Sequence, residues 1–501
     1  MARPMAVNDA PQLARPLLSW TGHPLPDMGI AILTAFAGRD RPEEVTAADL
    51  EAFAEYAEKA FLSPGAKGHH TVLFTVNLVH NPNSKWTEQR KREKAAEVLR
   101  EYRLAGNSDL PRCAYCNRQA VKAYAREYVP MLTGQGVINF FPGGRAGLPL
   151  CGSCIVALQA LAIGAPSCEG RALIVAAADP ALTLALVRHW LPELRKRIAL
   201  SQASGQKPTT MGKLRSRIIE ALCEVQGQAQ PWVEQEALKG TSGDEEIPAP
   251  SLTVYHLSNS GQGPTIDIHE LSGSIVRFVT RAGLARYRQA WQVLVRRAWQ
   301  RVETKGKKGS KQAGAAVEQA DDDPFRRCNY LYEDLFGLPE NAACFIRRYL
   351  RPRDMTGQEE AEFVPTWRLT ELFLEEVMGM EAKRIEAIRA LADGLSEKIA
   401  QTDDKALWKK AYFNKGGYRG LRSLVIGQGQ QLLKEGRPPL LRFDDFLTIF
   451  EDGNELAKTD WGLAWDLVLI RMTEQLYDRG WFERHKDVLA ETTEEAEREE
   501  E

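Results

Sequence analysis

The sequence predicts an α+β N-terminal region with an inserted four-cysteine ribbon of the zinc type, followed by a mainly α-helical C-terminal bundle. Three observations carry this expectation. CAYC at 113–116 and CGSC at 151–154 are two CxxC knuckles separated by 34 residues. Up to about residue 300, short Val-rich runs alternate with segments of helical period, and beyond it strand-like runs nearly vanish. At 501 residues, finally, the chain exceeds the size at which a single core stops growing, so two or more domains are expected.

In chain order the expected division is an α+β region with an amide-rich loop over 1–110 and the ribbon over 111–165. A second α+β region ending in a basic helix follows over 166–300, then a linker or mobile loop over 301–324, the bundle over 325–490 and an acidic disordered tail over 491–501. GHPLPDMGIAILTAFAG reads as a turn and a short apolar helix, and TAADLEAFAEYAEKAF as a Thr-capped helix. TVLFTVNLVH, rich in Val and closed by NPNSK, reads as a strand. A charged helix over 86–104 leads into the cysteines. After them RALIVAAA reads as a buried strand, PALTLALVRHWLPELRKRIAL as a helix, and LTVYHLSNSGQGPTIDIHEL as two strands around a Gly-containing turn. From Ile275, the spacing of Leu284, Tyr287, Trp291, Leu294 and Ala298 predicts one long amphipathic helix. It runs into ETKGKKGSKQAGAAVEQADDDP, which lacks core residues. The rest is helical stretches broken at Pro and Gly.

Composition is that of a globular protein, 44% hydrophobic and 26% charged. No stretch has the pattern of a signal peptide and no apolar run reaches the roughly 18 residues of a membrane span, so a cytoplasmic protein is expected. Thiols stay reduced there, which favours metal binding over cross-linking for clustered cysteines. Charge is divided along the chain. Residues 1–324 carry 39 Lys plus Arg against 32 Asp plus Glu, a net of +7, and residues 325–501 carry 26 against 35, a net of −9. A near-neutral total is therefore compatible with a polyanion partner for the first part.

Zinc takes four deprotonated sulfurs in a tetrahedron, and a CxxC turn presents two of them from one knuckle. Cys113, Cys116, Cys151 and Cys154 meet that need, and a closed shell predicts a structural role. An iron–sulfur cluster or rubredoxin-like iron uses the same ligands, and four free cysteines paired by chance is the bland alternative. Cys168, Cys223, Cys328 and Cys344 are scattered and read as core residues.

Between Leu271 and Lys311 there are eleven Lys and Arg against the single acid Glu303, with Phe278, Tyr287, Trp291 and Trp299 among them. On a continuous helix Arg277, Arg281 and Arg288 would share one face and suit a row of phosphates. A second excess runs from Lys85 to Arg126, eleven Lys and Arg against five acids, and includes Arg118, Lys122 and Arg126 around the first knuckle. Arg145 precedes the second. Asn77, Asn81 and Asn83 with Lys85, and Asn259 with Gln262, form amide-rich loops whose side chains both donate and accept, as base-edge readers do; turn formation is the plainer reading. Phosphate-loop, GxSxG and HExxH motifs do not occur, and eight scattered His assemble no site. No catalytic residue is assigned, and a binding component without activity of its own is expected.

Taken together, GHPLPDMGIAILTAFAG, CAYC followed by INFFPGGRAGLPLCGSC and IVALQALAIG, and TVYHLSNSGQGPTIDIHEL before a basic helix resemble the CXXC-CXXC family of CRISPR-associated proteins. These are large subunits of type I (I-A and I-B) Cascade effectors, and the resemblance covers roughly residues 18–300. It implies a subunit beside the crRNA-containing backbone subunits that contacts double-stranded target DNA at the protospacer-adjacent motif (PAM). Such a subunit helps open the duplex, meets the displaced non-target strand, and recruits a helicase-nuclease or, in guided transposition, a transposition machinery. Guide pairing then reads sequence while protein reads the short motif. The amide loops become candidate motif readers and the basic helix a strand track. The C-terminal bundle would correspond to a small subunit, which Met355, Met378 or Met380 could start by internal translation; its net negative charge departs from a strand-binding role. The alternative is a zinc-ribbon nucleic-acid-binding scaffold or RNA-processing factor outside CRISPR.

Overall fold

The computed structural model describes residues 16–62, 72–74, 85–132, 147–205, 212–225, 250–259, 264–301, 327–351, 364–414, 416–452, 456–486 and 488. It is a mixed α+β protein that divides into two compact units. Unit 1 comprises residues 1–276 with 301–328, and unit 2 comprises 277–300 with 329–501. Among the described residues no helix is long and apolar enough to cross a membrane.

Unit 1 is built around two helices buried on nearly every side, as expected when the apolar residues form no stripe. α1 (Pro24–Phe36) starts with Pro at its first position and His23 as N-cap, whose Nδ1 accepts from the Leu25 N–H at 3.3 Å. The Asp27 carboxylate in its first turn accepts from the Thr21 N–H and hydroxyl, both at 2.7 Å, and from the Gly22 N–H at 2.9 Å. α2 (Ala47–Phe61) opens with a Thr46/Asp49 capping box. α3 (Glu88–Leu99) runs into a 3₁₀ turn over Glu101–Arg103. The second buried helix, α4 (Gly152–Gly164), crosses α1 so closely that only small residues fit: a Cβ on Gly29 would lie 1.9 Å from the Ala157 carbonyl oxygen, and one on Gly164 would lie 2.5 Å from Ile32.

Two strands, β1 (Lys122–Tyr124) and β2 (Leu148–Leu150), form a short antiparallel ladder ahead of α4. β3 (Ser167–Cys168), β4 (Arg171–Ala177), β5 (Leu252–Ser258) and β6 (Thr265–Leu271) then form an antiparallel sheet in that order. α1 covers β4, where the Val175 N–H meets the Met28 sulfur at 3.4 Å. The hairpin expected over 252–271 is present, with Ser258 opposite Thr265 and Leu252 opposite Leu271. α5 (Pro180–Ser204) carries Pro192 in its interior and ends at Gly205 in the left-handed region, and α6 (Leu214–Val225) packs against it. Where the sequence predicts a strand over 71–80, Val72 and Leu73 are helical; Leu73 and Phe74 are buried, and residues 75–80 lie outside the described residues.

The long basic helix expected from Ile275 is two helices. α7 (Gly273–Ala282) and α8 (Ala285–Arg297) are interrupted at Gly283 and Leu284, and Leu284 takes the extended backbone of an N-cap. Arg277–Gln300 clusters with unit 2, not with the α+β region in which the sequence reading placed it. Unit 2 is otherwise mainly helical, with α9 (Trp367–Glu376), α10 (Ala382–Thr402), α11 (Lys405–Phe413), α12 (Gly417–Lys434), α13 (Phe443–Phe450) and α14 (Trp461–Asp478), and it carries a short antiparallel ladder of Glu451–Asp452 with Leu456–Ala457. α10 and α14 pack together at its centre. Met378 and Met380 sit in the turn between α9 and α10, whereas Met355, residues 302–324 of the expected linker and the tail over 491–501 lie outside the described residues. Of the scattered cysteines, Cys168 and Cys328 are buried and Cys223 half-buried, but Cys344 is exposed, contrary to its reading as core.

Candidate metal centre and the basic residues around it

The first knuckle closes locally. The Cys113 N–H donates to the Arg118 carbonyl at 2.7 Å, and the Asn117 N–H donates to the Cys113 carbonyl at 3.0 Å. Asn117 has φ 59°, a left-handed conformation that Asn tolerates and most residues resist. Strand pairing brings in the second knuckle: the Ala114 N–H bonds the Pro149 carbonyl at 3.0 Å and the Val121 N–H the Leu150 carbonyl at 2.8 Å. β2 thus delivers Cys151 to the N-cap of α4, where its sulfur accepts from the Cys154 N–H at 3.5 Å. Gly152 lets this helix start approach the 3₁₀ turn, since a Cβ there would lie 1.9 Å from the Glu101 carbonyl oxygen.

The four sulfurs lie within 4.8 Å of one another, with Cys116 and Cys151 at 3.4 Å. A tetrahedron with metal–sulfur bonds of about 2.3 Å has edges of about 3.8 Å, so the arrangement fits a four-coordinate thiolate site. Cys113, Cys151 and Cys154 are 3%, 5% and 3% exposed, and Cys116 is half-buried. Ionisation is uneven across the cluster. Hydrogen bonds from Cys116, then Cys151 and Cys154, hold the Cys113 thiol far below its ordinary value. Cys116 is raised by its bond to Cys113, but the bonds to Cys151 and Cys154 outweigh this and bring it to about 7. Cys151 and Cys154 are pushed far up, first by their bonds to Cys113, then by those to Cys116, and by burial. Four thiolates this close repel one another, and a bound cation is what allows all four to ionise together.

The segment 17–27 packs on the first knuckle. Arg118 donates to the Leu17 carbonyl at 2.5 Å and to the Ser19 hydroxyl at 3.2 Å, and the rings of His23 and Tyr115 lie 4.6 Å apart. Burial against this ring lowers the His23 pKa although one edge stays exposed, and burial followed by the charges of Cys154 and Cys113 raises that of Tyr115. Glu101, 2% exposed, accepts from Lys122 at 2.9 Å and from the Tyr124 hydroxyl. Lys122 also reaches Glu97 at 3.5 Å.

These contacts correct several sequence expectations. Arg118 and Lys122 bind groups of their own chain, and Arg126 is half-buried with its Nε enclosed and unpaired; none of the three presents a free row to phosphates. Arg277 and Arg281 converge on Glu376, whose side chain is 8% exposed, Arg277 at 3.5 Å. The break at Gly283 also removes the face they were expected to share with Arg288. Asn259 is 5% exposed, donating from its side chain to the Leu73 carbonyl at 3.0 Å and from its N–H to the Val72 carbonyl at 2.7 Å, so it anchors backbone and offers no base-reading edge. Lys85 is exposed. Asn77, Asn81, Asn83, Arg145 and Gln262 lie outside the described residues.

Arg288 was expected to contact phosphates, and what that expectation missed is the rest of the exposed face of α8 around it. Arg286, Arg288, Arg296 and Arg297 are exposed with Gln289 and Gln292, while Tyr287, Ala290, Trp291 and Leu294 are buried. Helical period alone places Arg288, Gln289, Gln292 and Arg296 on the side away from the buried residues, with Arg286 and Arg297 at the boundary, so the signal was present. Residues 285–297 contain no acid. No family model, no curated protein and no solved structure matches the chain.

Proposed function

We propose that this chain is a non-catalytic large subunit of a type I CRISPR surveillance complex (Cascade). On this reading a structural zinc ion bound by Cys113, Cys116, Cys151 and Cys154 secures unit 1, and exposed arginines contact nucleic acid. The observation that carries it is convergence. The separated stretches on which the resemblance rests meet in one body: α1 crosses α4, Arg118 and Tyr115 of the first knuckle hold residues 17–23, and the 252–271 hairpin extends the sheet beneath α1.

Zinc is the closed-shell choice for four converging sulfurs, three of them on buried cysteines, and would act as a cross-link, since no position is left for substrate. Its effect would be to hold the start of α4 against the first knuckle. Nucleic-acid contact falls to α8, whose Arg286, Arg288 and Arg296 face solvent with no neighbouring carboxylate on the helix. The motif-reading role does not fall to Asn259, which is buried and bonded to backbone. Co-expression with the genomic neighbours, followed by affinity purification, tests the reading. A discrete crRNA, backbone subunits and about one zinc per chain support it; a lone, metal-loaded chain without RNA overturns the assembly and favours the zinc-ribbon scaffold outside CRISPR.

A further inference from the structure

Away from the cysteines, unit 1 has a cleft of about 490 Å³ between α1, α2 and α5, lined by Ala35, Tyr56, Arg188, Leu191, Pro192, Arg195, Lys196 and Ala199. Its apolar floor comes from Leu191, Pro192 and the two alanines, and its rim carries three cations. Arg195 lies over two aromatic rings, 4.8 Å from the centroid of Phe36 and 5.0 Å from that of Tyr56, so its guanidinium is held against a wall while the residue stays exposed. Among the described residues neither Arg195 nor Lys196 is paired with a carboxylate. Arg188 donates to the Asp40 carboxylate at 2.9 Å, but that side chain is 88% exposed and is readily displaced. The Tyr56 hydroxyl is buried without a hydrogen-bond acceptor. Its cationic neighbour Arg195 supplies only donors, so the phenolic proton has nowhere to go within the protein.

We infer that this cleft binds a nucleoside phosphate, with the phosphate received by Arg195, Lys196 and the Tyr56 hydroxyl and the base laid on the outer face of the Arg195 guanidinium. Each element answers a need of that ligand. An anionic oxygen supplies the acceptor the Tyr56 proton lacks and neutralises the rim. A guanidinium backed by rings is a flat, preorganised platform on which a base stacks. The volume suits one nucleotide on a strand or in free solution and excludes a duplex, whose backbone is presented on a convex surface. Pro192 gives no N–H to the Arg188 carbonyl one turn back, which opens the helix ladder on the cleft side.

The experiment titrates the full chain, metal loaded, with adenosine monophosphate, adenosine, inorganic phosphate and a single-stranded oligo-dA by calorimetry. Expected is binding of the monophosphate and the strand, with adenosine and inorganic phosphate each weaker. Arg195→Ala with Lys196→Ala weakens the monophosphate by at least about tenfold, and Tyr56→Phe by about fivefold, at unchanged melting temperature and metal content. In the strand arm the double variant lowers the slope of log affinity against log salt by roughly 1.4, which is about 25-fold at 0.1 M salt. Arg195→Lys keeps the inorganic phosphate affinity and loses the gain from the base. A strand that binds while the monophosphate does not assigns the source to polymer only if the Arg195→Ala, Lys196→Ala variant weakens it, because α8 would hold a strand whatever stands at those positions; the reverse, lost in the same variant, assigns it to free nucleotide. Unchanged affinities in the double variant, or no binding of either by the unaltered chain, overturn it. Neither result bears on whether a crRNA complex forms, so this site and the assembly reading fail separately.

Discussion

Replacing Gly152 by alanine sets a methyl carbon 1.9 Å from the Glu101 carbonyl oxygen, 2.4 Å from its carbon and 2.8 Å from the Tyr102 Cα. All three are backbone atoms, so no side chain can swing aside. Restoring an ordinary contact of about 3.4 Å requires the start of α4 to withdraw by about 1.5 Å from the 3₁₀ turn. Cys151 and Cys154 ride on that helix start, one as its N-cap and one in its first turn. Half the ligand set would thus move by about 1.5 Å in a cluster whose sulfurs now span at most 4.8 Å, while a tetrahedral shell tolerates errors of only about 0.2 Å. Overpacking of this kind costs about 1–3 kcal/mol, and disturbance of groups supporting a metal site typically costs about 10–100-fold in affinity. Zinc affinity measured by chelator competition and thermal unfolding of the metal-loaded protein read the two effects. Ser153→Ala, one residue along, serves as the control and changes neither. A Gly152→Ala protein with unaltered zinc affinity and unfolding temperature would refute the claim that this contact positions the second knuckle.

Chelation of the metal, or Cys113→Ser or Cys151→Ser, is expected to open the region 113–154 to limited proteolysis, because a structural zinc site contributes about 10–16 kcal/mol in peptides; a substituted protein as resistant as the original would remove the structural role. Arg281→Ala leaves Glu376, 8% exposed, with Arg277 as its cation and should cost about 2 kcal/mol in denaturant unfolding, whereas Arg288→Ala should cost less than about 0.5 kcal/mol. In a duplex-DNA binding assay the order reverses: Arg288→Glu with Arg296→Glu weakens binding and its salt dependence, and an unchanged isotherm would exclude α8 as a nucleic-acid face. At Asp460, burial raises the carboxyl, but the two bonds from Arg384, at 2.7 and 2.8 Å, outweigh it and hold the pKa below its ordinary 3.8. The pair therefore stabilises unit 2 above that value and the contribution fades as pH falls below it. Asp460→Asn should lose about 1–3 kcal/mol at pH 7, with the difference from the unaltered protein shrinking on acid titration; a pH-independent difference would show that charge is not its source.

Local pattern was enough to read the two CxxC knuckles, the Thr46 cap, the hairpin over 252–271 and the buried stripe of Tyr287, Trp291 and Leu294. In each, the determining partners lie within a few turns or one strand pairing, so spacing encodes geometry directly. The expectation of one continuous basic helix failed because helical period runs on undisturbed through Gly283, where the backbone breaks. The fate of the charges was decided at longer range. Arg281 is claimed by Glu376, Arg118 by the backbone of Leu17, Lys122 by Glu101 and Asn259 by Leu73. A basic residue in a sequence is only a donor in search of an acceptor, and burial makes an unpaired one costly, so folding assigns the nearest acceptor in space regardless of its distance along the chain. The same logic shapes the cleft on α5: Arg195 finds ring faces there instead of a carboxylate, and only the crossing of α1, α2 and α5 brings those rings beneath it.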